Sequence, residues 1–331
     1  MALRCGFVGC GGMGRELAGA MRERVEEAEV AAAFDPFEPN LGRFCEETGA
    51  RPAGSLEELL ARPEVEAVVI ASPNDLHCEQ TMAAAAAGKH VFCEKPMALS
   101  VGDCDRMIES CERAGVKLMV GHSMRLYPLV RRLVEVVRGG ELGRPIYGFA
   151  SYFFSGFKGR DSGAWHLERR RIGGLLHHMA IHQVDLFLTI FGAARRVQYA
   201  GGRYGEQVRD FDDVAGALVE FASGATAMLS ASSLAPVSWC EVVVLCSRGL
   251  ARMGSPWSYL EYGAGEEEMT RLEAGEMAGP TAAEVELRSF ARWVLYGEAP
   301  VFTGKEGRAA VAVAEAADRA RESGGPVQVA T

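Results

Sequence analysis

Long apolar stretches are missing from this 331-residue chain. No run approaches the roughly 20 residues that cross a bilayer, so no membrane-spanning helix is expected. An excess of positive charge is missing too: 35 Lys and Arg stand against 44 Asp and Glu, a formal net charge of −9. A general nucleic-acid binder needs the opposite balance, because its affinity rests on neutralising phosphates. There is no Cys-x-x-Cys pair, and the nine cysteines are scattered and odd in number. That pattern fits buried or incidental thiols in a reducing compartment, and neither a disulfide framework nor a zinc site. The opening Met-Ala-Leu-Arg enters a strand-like segment almost at once, which leaves no room for a secretory signal and predicts a cytoplasmic protein. No internal repeat is visible, and no low-complexity segment beyond an alanine run in 80–87. What remains is an ordinary globular composition, 48% hydrophobic and 24% charged. At about 100–200 residues per domain, the length predicts two domains.

Through residue 122, short apolar strands alternate with helices. Strands are expected at 3–8, 30–34, 65–71, 90–93 and 116–120, and helices at 15–24, 80–87 and 101–114, the last two stopped by Gly88 and Gly115. Ser55-Leu56-Glu57-Glu58 has the capping-box form, in which the Ser and Glu side chains satisfy each other's orphan amides. Continuous apolar strands separated by helices mean a parallel sheet covered on both faces, a doubly wound α/β domain over 1–122. The pattern changes near Gly121. The segment 127–138 carries Leu129, Val130, Leu133, Val136 and Val137 on one helical stripe. Strand-like stretches follow at 146–154, 197–203, 214–221, 225–231 and 240–246, with hairpin turns at 222–224 and 247–249. Residues 123–331 are therefore expected to form an α+β domain with a large, open, mostly antiparallel sheet. A helix around 175–191 interrupts it, and helices at 283–296 and 306–321 end the chain. The glutamate run Glu266-Glu267-Glu268 reads as a solvated loop.

Gly9-Cys10-Gly11-Gly12-Met13-Gly14 has the form G-x-G-x-x-G, follows a strand and opens a helix, and Asp35 ends the next strand 21 residues past Gly14. In that context the glycines let the backbone approach a pyrophosphate at a helix N-terminus, the fingerprint of dinucleotide binding. Asp35 can accept from both ribose hydroxyls of adenosine. A phosphate on that ribose would bring like charges to about 4 Å, at a cost of about 4 kcal/mol per charge pair. No Ser-Arg pair follows Asp35 to receive a phosphate, only Pro36, Phe37 and Glu38, so NAD is favoured over NADP. Ser72-Pro73-Asn74 and Glu94-Lys95-Pro96 each end a strand, where open α/β sheets bind ligands.

On a continuous helix His178, His182 and Asp185 fall at i, i+4 and i+7 on one face, while His177 aligns with Ile181, Val184 and Leu188 and belongs to the core. His-x-x-x-His can also hold zinc, but no third ligand has convincing spacing, and no metal site is expected. Arg169-Arg170-Arg171 reads as either a solvated run or a site for a carboxylate or phosphate.

Together these markers resemble the glucose–fructose oxidoreductase / inositol dehydrogenase / rhizopine-catabolism family. They are the fingerprint, Ser72-Pro73-Asn74 with His77, Gly88-Lys89-His90-Val91 through Glu94-Lys95-Pro96, and Gly173-Gly174 through His182 and Asp185. The resemblance covers nearly the whole chain. It implies a Rossmann domain followed by an open-sheet domain whose exposed face serves oligomerisation, giving a homodimer or homotetramer. It places Gly9, Gly11, Gly12, Met13, Gly14, Asp35, Ser72, Pro73, Asn74, His77, Glu94 and Lys95 around the cofactor. Lys95 would lie at the reacting carbon, often with a cis bond before Pro96, and His182 would face the substrate. His122, Arg125, Tyr152, Trp165 and His178 would also lie towards the substrate.

His178 stands where the family usually has Asp, four residues before its substrate-facing His, which points to a different substrate polarity and puts the usual carboxylate-assisted relay aside. Asp185 reads as a structural hydrogen-bonding residue. Glu94 is expected to face away from Lys95, since an inward carboxylate would hold the lysine proton more tightly. The function implied is that of an NAD-dependent dehydrogenase, moving hydride between nicotinamide and a secondary alcohol or ketone of a polyol, sugar or sugar acid. Lys95 and His182, with His178 beside them, would handle the hydroxyl proton. Two other readings remain open: an NAD-dependent glycoside hydrolase acting by transient oxidation, and a non-catalytic NAD-binding sensor.

Overall fold

The computed structural model describes residues 2–155, 164–206, 208, 210–254, 257–265, 268–277 and 279–331. Glu266 and Glu267 of the glutamate run lie outside them. Among the described residues no helix is long and apolar enough to cross a membrane.

The chain divides into two compact units, Met1–Ser123 with Pro280–Arg308 and Met124–Gly279 with Ala309–Thr331. The first boundary falls one residue from the expected one. The simple split into 1–122 and 123–331 is nevertheless corrected, because 280–308 returns to the first unit. The reason is an unsatisfied sheet face. A parallel sheet must be covered on both sides, and the returning helix offers the buried side chains Leu287, Phe290 and Ala291, with Phe290 edge-on to Phe92 at 5.8 Å between ring centroids.

The first unit begins β1 (Leu3–Val8), α1 (Gly12–Arg24), β2 (Ala28–Phe34), α2 (Glu38–Thr48), β3 (Arg51–Pro52), α3 (Leu56–Ala61) and β4 (Ala67–Ile70). It continues with α4 (His77–Ala86), β5 (His90–Glu94), α5 (Val101–Ala114) and β6 (Leu118–Gly121). The six strands pair in the order β3-β2-β1-β4-β5-β6, all parallel. The order reverses between β1 and β4, and the crevice outside the carboxyl ends at such a switch point is where open α/β sheets take ligands. Every residue of β4 is buried, the signature of a strand covered on both faces. The capping box before α3 is only half formed. Ser55 Oγ accepts the Glu58 N–H at 3.1 Å, but the Glu58 carboxylate reaches past Ser55 to accept the Gly54 N–H at 2.8 Å.

The second unit carries α6 (Pro128–Arg138), β7 (Pro145–Phe153), α7 (Arg169–Ile172), α8 (Leu175–His178), α9 (Ile181–Phe191), β8 (Ala194–Gly202), β9 (Val214–Phe221), β10 (Thr226–Ser232) and β11 (Trp239–Cys246). Then come β12 (Leu250–Met253), β13 (Tyr259–Gly263) and β14 (Thr270–Glu273). Helix α10 (Ala282–Tyr296) belongs to the first unit, as does the start of α11 (Gly304–Ser323), which is followed by the short β15 (Val327–Gln328) of the second. Nine strands form one sheet, β14-β13-β12-β11-β7-β10-β9-β8-β15. All neighbours are antiparallel except β7 and β10. Alternate residues such as Ala217, Val219, Ala227, Leu229, Val242 and Val244 join α6 and α9 side chains in the core. Leu218, Met228, Trp239 and Leu245 are exposed on the sheet.

The single helix expected over 175–191 is two. The Met179 N–H and the Ala180 N–H both donate to the Leu175 carbonyl, at 2.9 and 3.0 Å, so the hydrogen-bond ladder slips by one residue before α9 starts. His178 therefore ends one helix while His182 and Asp185 ride the next. The uninterrupted i, i+4, i+7 stripe is corrected: no proline or glycine marks the slip, and α9 takes its own phase from the buried Ile181, Val184, Phe187 and Ile190.

Candidate active site

The four fingerprint glycines do two different jobs. Gly9 has φ +93°, and a Cβ there would stand 2.6 Å from the Ser72 nitrogen and 2.7 Å from the Ala71 oxygen, so β1 and β4 can close up only around glycine. A Cβ on Gly14 would run into the Gly9 carbonyl oxygen. At Gly11 and Gly12 a Cβ would meet nothing within 4 Å. The open side leaves room for a ligand, and the closed side is taken up by packing. Gly11 caps α1 with no side chain on its first amides and no acidic residue in the first turn, so the helix end keeps its donors and positive dipole for an anion. Met13, the large side chain of this loop, is exposed.

Asp35, at the end of β2, is half-buried. Its Oδ2 accepts the Cys10 N–H at 2.8 Å and its Oδ1 accepts the Phe37 N–H at 2.9 Å. A carboxylate oxygen has more than one acceptor site, so the residue that pins the loop can still receive ribose hydroxyls. An open backbone cradle, a helix N-terminus and an aimed carboxylate together fit a dinucleotide.

After β4, Ser72 Oγ donates to Gln80 Oε1 at 2.5 Å, Pro73 is half-buried and Asn74 is buried. His77 was expected around the cofactor. It is fully buried, with Nδ1 at 2.9 Å from the Pro96 carbonyl and Nε2 at 2.9 Å from the Ser72 carbonyl. It braces the two strand-end loops from behind. Burial holds its pKa below the ordinary histidine value in spite of the two carbonyls.

Lys95 is half-buried, and the Lys95–Pro96 peptide is cis. Glu94 does not face away. Its side chain is 7% exposed and Oε2 accepts the Lys95 N–H at 3.0 Å, because strand alternation puts Glu94 on the same face as buried Phe92. Burial pushes the Glu94 carboxyl up to about 7, Lys95 pulls against that, and Glu16 adds to it. The neighbouring marker residues are structural: Lys89 Nζ donates to the Arg62 and Val65 carbonyls at 3.0 and 2.7 Å, and His90 Nδ1 accepts the Lys117 N–H at 3.0 Å. His122, expected towards the substrate, is buried beside Phe302, with ring centroids 6.2 Å apart.

In the second unit Arg125, also expected towards the substrate, closes a fork on Asp185, Nε to Oδ2 at 2.5 Å and Nη2 to Oδ1 at 2.8 Å. The Trp165 ring stands edge-on to His178 and to His166, each at 5.7 Å between centroids, which gathers three of the aromatic and imidazole groups. Tyr152 is half-buried and meets Phe154 edge-on at 6.3 Å; His182 is half-buried. His177 is buried with Nδ1 3.6 Å from Asp318 Oδ2. In the three-Arg run Arg169 pairs with Asp318 at 2.9 Å and Arg170 with Glu168 at 2.6 Å. Burial pushes the Asp318 carboxyl up to about 6 even so.

Glu286 escaped the sequence reading. It sits on α10, almost wholly buried, and its Oε2 has no hydrogen-bond partner among the described residues. The signal was visible: Ala282, Glu286 and Phe290 lie at i, i+4 and i+8, which places a carboxyl in the middle of an apolar stripe.

Residues 3–122 match the family model described as "Oxidoreductase family, NAD-binding Rossmann fold", and residues 130–252 match the GFO/IDH/MocA C-terminal domain. The chain is 31% identical over 357 residues to the 2,7-anhydro-N-acetylneuraminate hydratase of Mediterraneibacter gnavus, covering 95% of this chain and 93% of that protein. It is 29% identical to the myo-inositol 2-dehydrogenase of Thermotoga maritima, over 97% of this chain and 96% of the relative. Among solved structures, the aldose–aldose oxidoreductase of Caulobacter crescentus, complexed with glycerol, superposes with a TM-score of 0.89 at 26% identity, over 99% of this chain and 100% of the other. With both segments matched in order, the chain belongs to the GFO/IDH/MocA family of NAD-binding oxidoreductases.

Proposed function

We propose that this protein is an NAD-dependent dehydrogenase of the secondary alcohol, or reductase of the ketone, of a polyol, sugar or sugar acid. The observation that carries the cofactor half is the open Gly11-Gly12 backbone beside the carboxylate of Asp35. Gly9 to Gly14 would hold the pyrophosphate, Asp35 the adenosine ribose, and Ser72, Pro73 and Asn74 the chain side of the crevice after β4. The cofactor, when bound, accepts or returns hydride at its nicotinamide ring. Oxidising an alcohol also releases the hydroxyl proton, and that is the protein's share. We assign it to Lys95 and, in the second unit, to His182. A lysine ammonium hydrogen-bonds and polarises the hydroxyl oxygen, while an imidazole is the side chain suited to take a proton at neutral pH. His178, edge-on to Trp165, is assigned to substrate contact. The substrate class is supported by the relatives, whose names span a cyclic polyol, aldoses and an anhydro sugar acid.

The hydratase relative, whose name describes no net oxidation, fits in part a second reading, an NAD-dependent glycoside hydrolase in which oxidation at one carbon is transient and the cofactor ends as it began. Screening NAD⁺ reduction over inositols, aldoses and sugar acids separates the two. Net NADH release supports the dehydrogenase. Substrate consumption without net NADH supports the second reading, and inertness across the panel with intact NAD binding overturns both.

We also propose that the outward face of the nine-stranded sheet takes a second copy of the chain, and that the protein works in the cytoplasm. Leu218, Met228, Phe149 and Val243 stand directly across from one another on β9, β10, β7 and β11, and an apolar row of that extent is suited to a two-fold partner. Met228→Glu should shift the mass in light scattering to that of a smaller species. An unchanged mass rejects this face.

A further inference from the structure

Two carboxyl groups are buried in the first unit, Glu94 next to Lys95 and Glu286 on α10. Phe92 and Glu94 alternate onto one face of β5, and Phe290 of α10 meets Phe92 edge-on there. Glu286 precedes Phe290 by one helical turn and shares its stripe; Glu94 follows Phe92 by one alternation. From Phe290 the helix runs on to Arg292, which reaches Glu27 Oε1 at 3.1 Å just before β2, so Glu286 lies on the side of the ring pair towards the carboxyl ends of the strands, as Glu94 does. Glu94 is 7% and Glu286 1% exposed. The charged groups facing them are Lys95 on Glu94, and Glu16 of α1 on both. Glu94 accepts one hydrogen bond from the Lys95 N–H, at 3.0 Å. Glu286 Oε2 has no partner among the described residues.

Two ionised carboxylates buried together repel one another and lose the water that stabilises charge. One proton removes the repulsion and the desolvation cost of one of the two charges, because a protonated Glu286 becomes a donor for which a carboxylate such as that of Glu94 is an acceptor. We propose that Glu286 is a positioning residue of the Lys95 site: it holds one proton in common with Glu94, so that Lys95 has a single negative charge behind it and not two. Burial moves both carboxyls in the required direction, upward, with Glu286 well above the ordinary range. A second negative charge would hold the lysine proton more tightly. The inference rests on Lys95 handling the hydroxyl proton and adds what sets its readiness to do so.

The test begins with the unliganded wild-type protein. Infrared spectra with and without carbon-13-labelled glutamate should show a neutral carboxylic-acid carbonyl band at pH 7, and Glu286→Gln should weaken it and leave only a remainder that disappears as the pH rises above 7. In steady state, Glu286→Gln keeps a donor for Glu94 but never ionises, and should move the basic limb of the kcat/KM profile down by about one pH unit. Glu286→Leu removes the donor and should lower kcat by about tenfold with little change in KM. A purely structural role would leave the basic limb where it is. A protein that oxidises its substrate while both carboxyls are ionised at pH 7 overturns the pair and leaves the proposed function standing. A protein that oxidises nothing in the screen overturns that function, and with it the positioning role, even if the band is present.

Discussion

Asp35 pins the loop it serves: its Oδ2 accepts the Cys10 N–H at 2.8 Å, joining the end of β2 to the middle of the glycine fingerprint. With Asp35 proposed to hold the adenosine ribose, cofactor selection and loop order would share one carboxylate. Asp35→Ser should lose both, with the preference for NAD over NADP falling from about a thousandfold, the equivalent of about 4 kcal/mol, towards parity, and the NAD Kd rising. Comparing kcat/KM for the two cofactors checks this. Equal efficiencies in the wild-type protein contradict the assignment.

The glycines should separate fold from binding. Gly14→Ala drives a Cβ onto the Gly9 carbonyl and should destabilise the first unit by about 1–3 kcal/mol, as overpacking does. Gly12→Val enters open space, so its melting temperature should stay close to wild type while the NAD Kd rises at least about tenfold, a loss of about 1.4 kcal/mol. Thermal unfolding and cofactor titration on the same two variants decide it.

His77 should make stability fall in acid. Its folded-state pKa lies below the unfolded value near ~6.5, so the unfolded chain binds more protons and stability drops as pH falls through that region. The buried Glu94 has the opposite sign: its pKa is raised to about 7, so its contribution is lost as pH climbs towards that value. His77→Leu should remove the acid-side loss of stability below pH ~6.5. It should also cost about 1–3 kcal/mol at neutral pH, because one carbonyl loses its N–H donor. Chemical denaturation across pH 5 to 8 measures both slopes.

Arg125 and Asp185 should behave as a buried ion pair. Their side chains are 16% and 3% exposed. Arg125→Met or Asp185→Asn alone should cost about 3–5 kcal/mol, and the combination of Arg125→Met with Asp185→Leu should cost less than the sum. Additive losses would mean the fork contributes nothing as a pair.

The parallel sheet was legible because its central strands, buried on both faces, read as continuous apolar runs, and 3–8 agrees with its observed bounds to the residue; the helix 101–114 and the strand 214–221 of the other sheet do so too. Helix α2 passed unnoticed because Pro39 and Gly42 interrupt it and Phe44 is its only buried residue. The return of 280–308 to the first unit could not be read from periodicity, which shows that a helix has an apolar face but not which sheet receives it. The same limit governs the site. The fingerprint and Asp35 are local and were recognised. The His77 contacts with Ser72 and Pro96, and the Arg125 fork on a residue 60 positions away, exist only once the chain has folded. Glu286 was available to inspection as a charge on an apolar stripe, and a reader watching only for motifs passes over it.

The central claim is that hydride moves between a substrate carbon and the nicotinamide while Lys95 serves the oxygen. Its most direct test supplies NAD⁺ with inositols, aldoses and sugar acids carrying deuterium on the carbinol carbons, and reads the cofactor by mass spectrometry. The account predicts one deuterium in the NADH formed from the true substrate, and a fall in that labelling rate of about 10²–10⁴ in Lys95→Met with NAD binding nearly unchanged. Unlabelled NADH from a deuterated substrate, or near-full turnover by Lys95→Met, would contradict it.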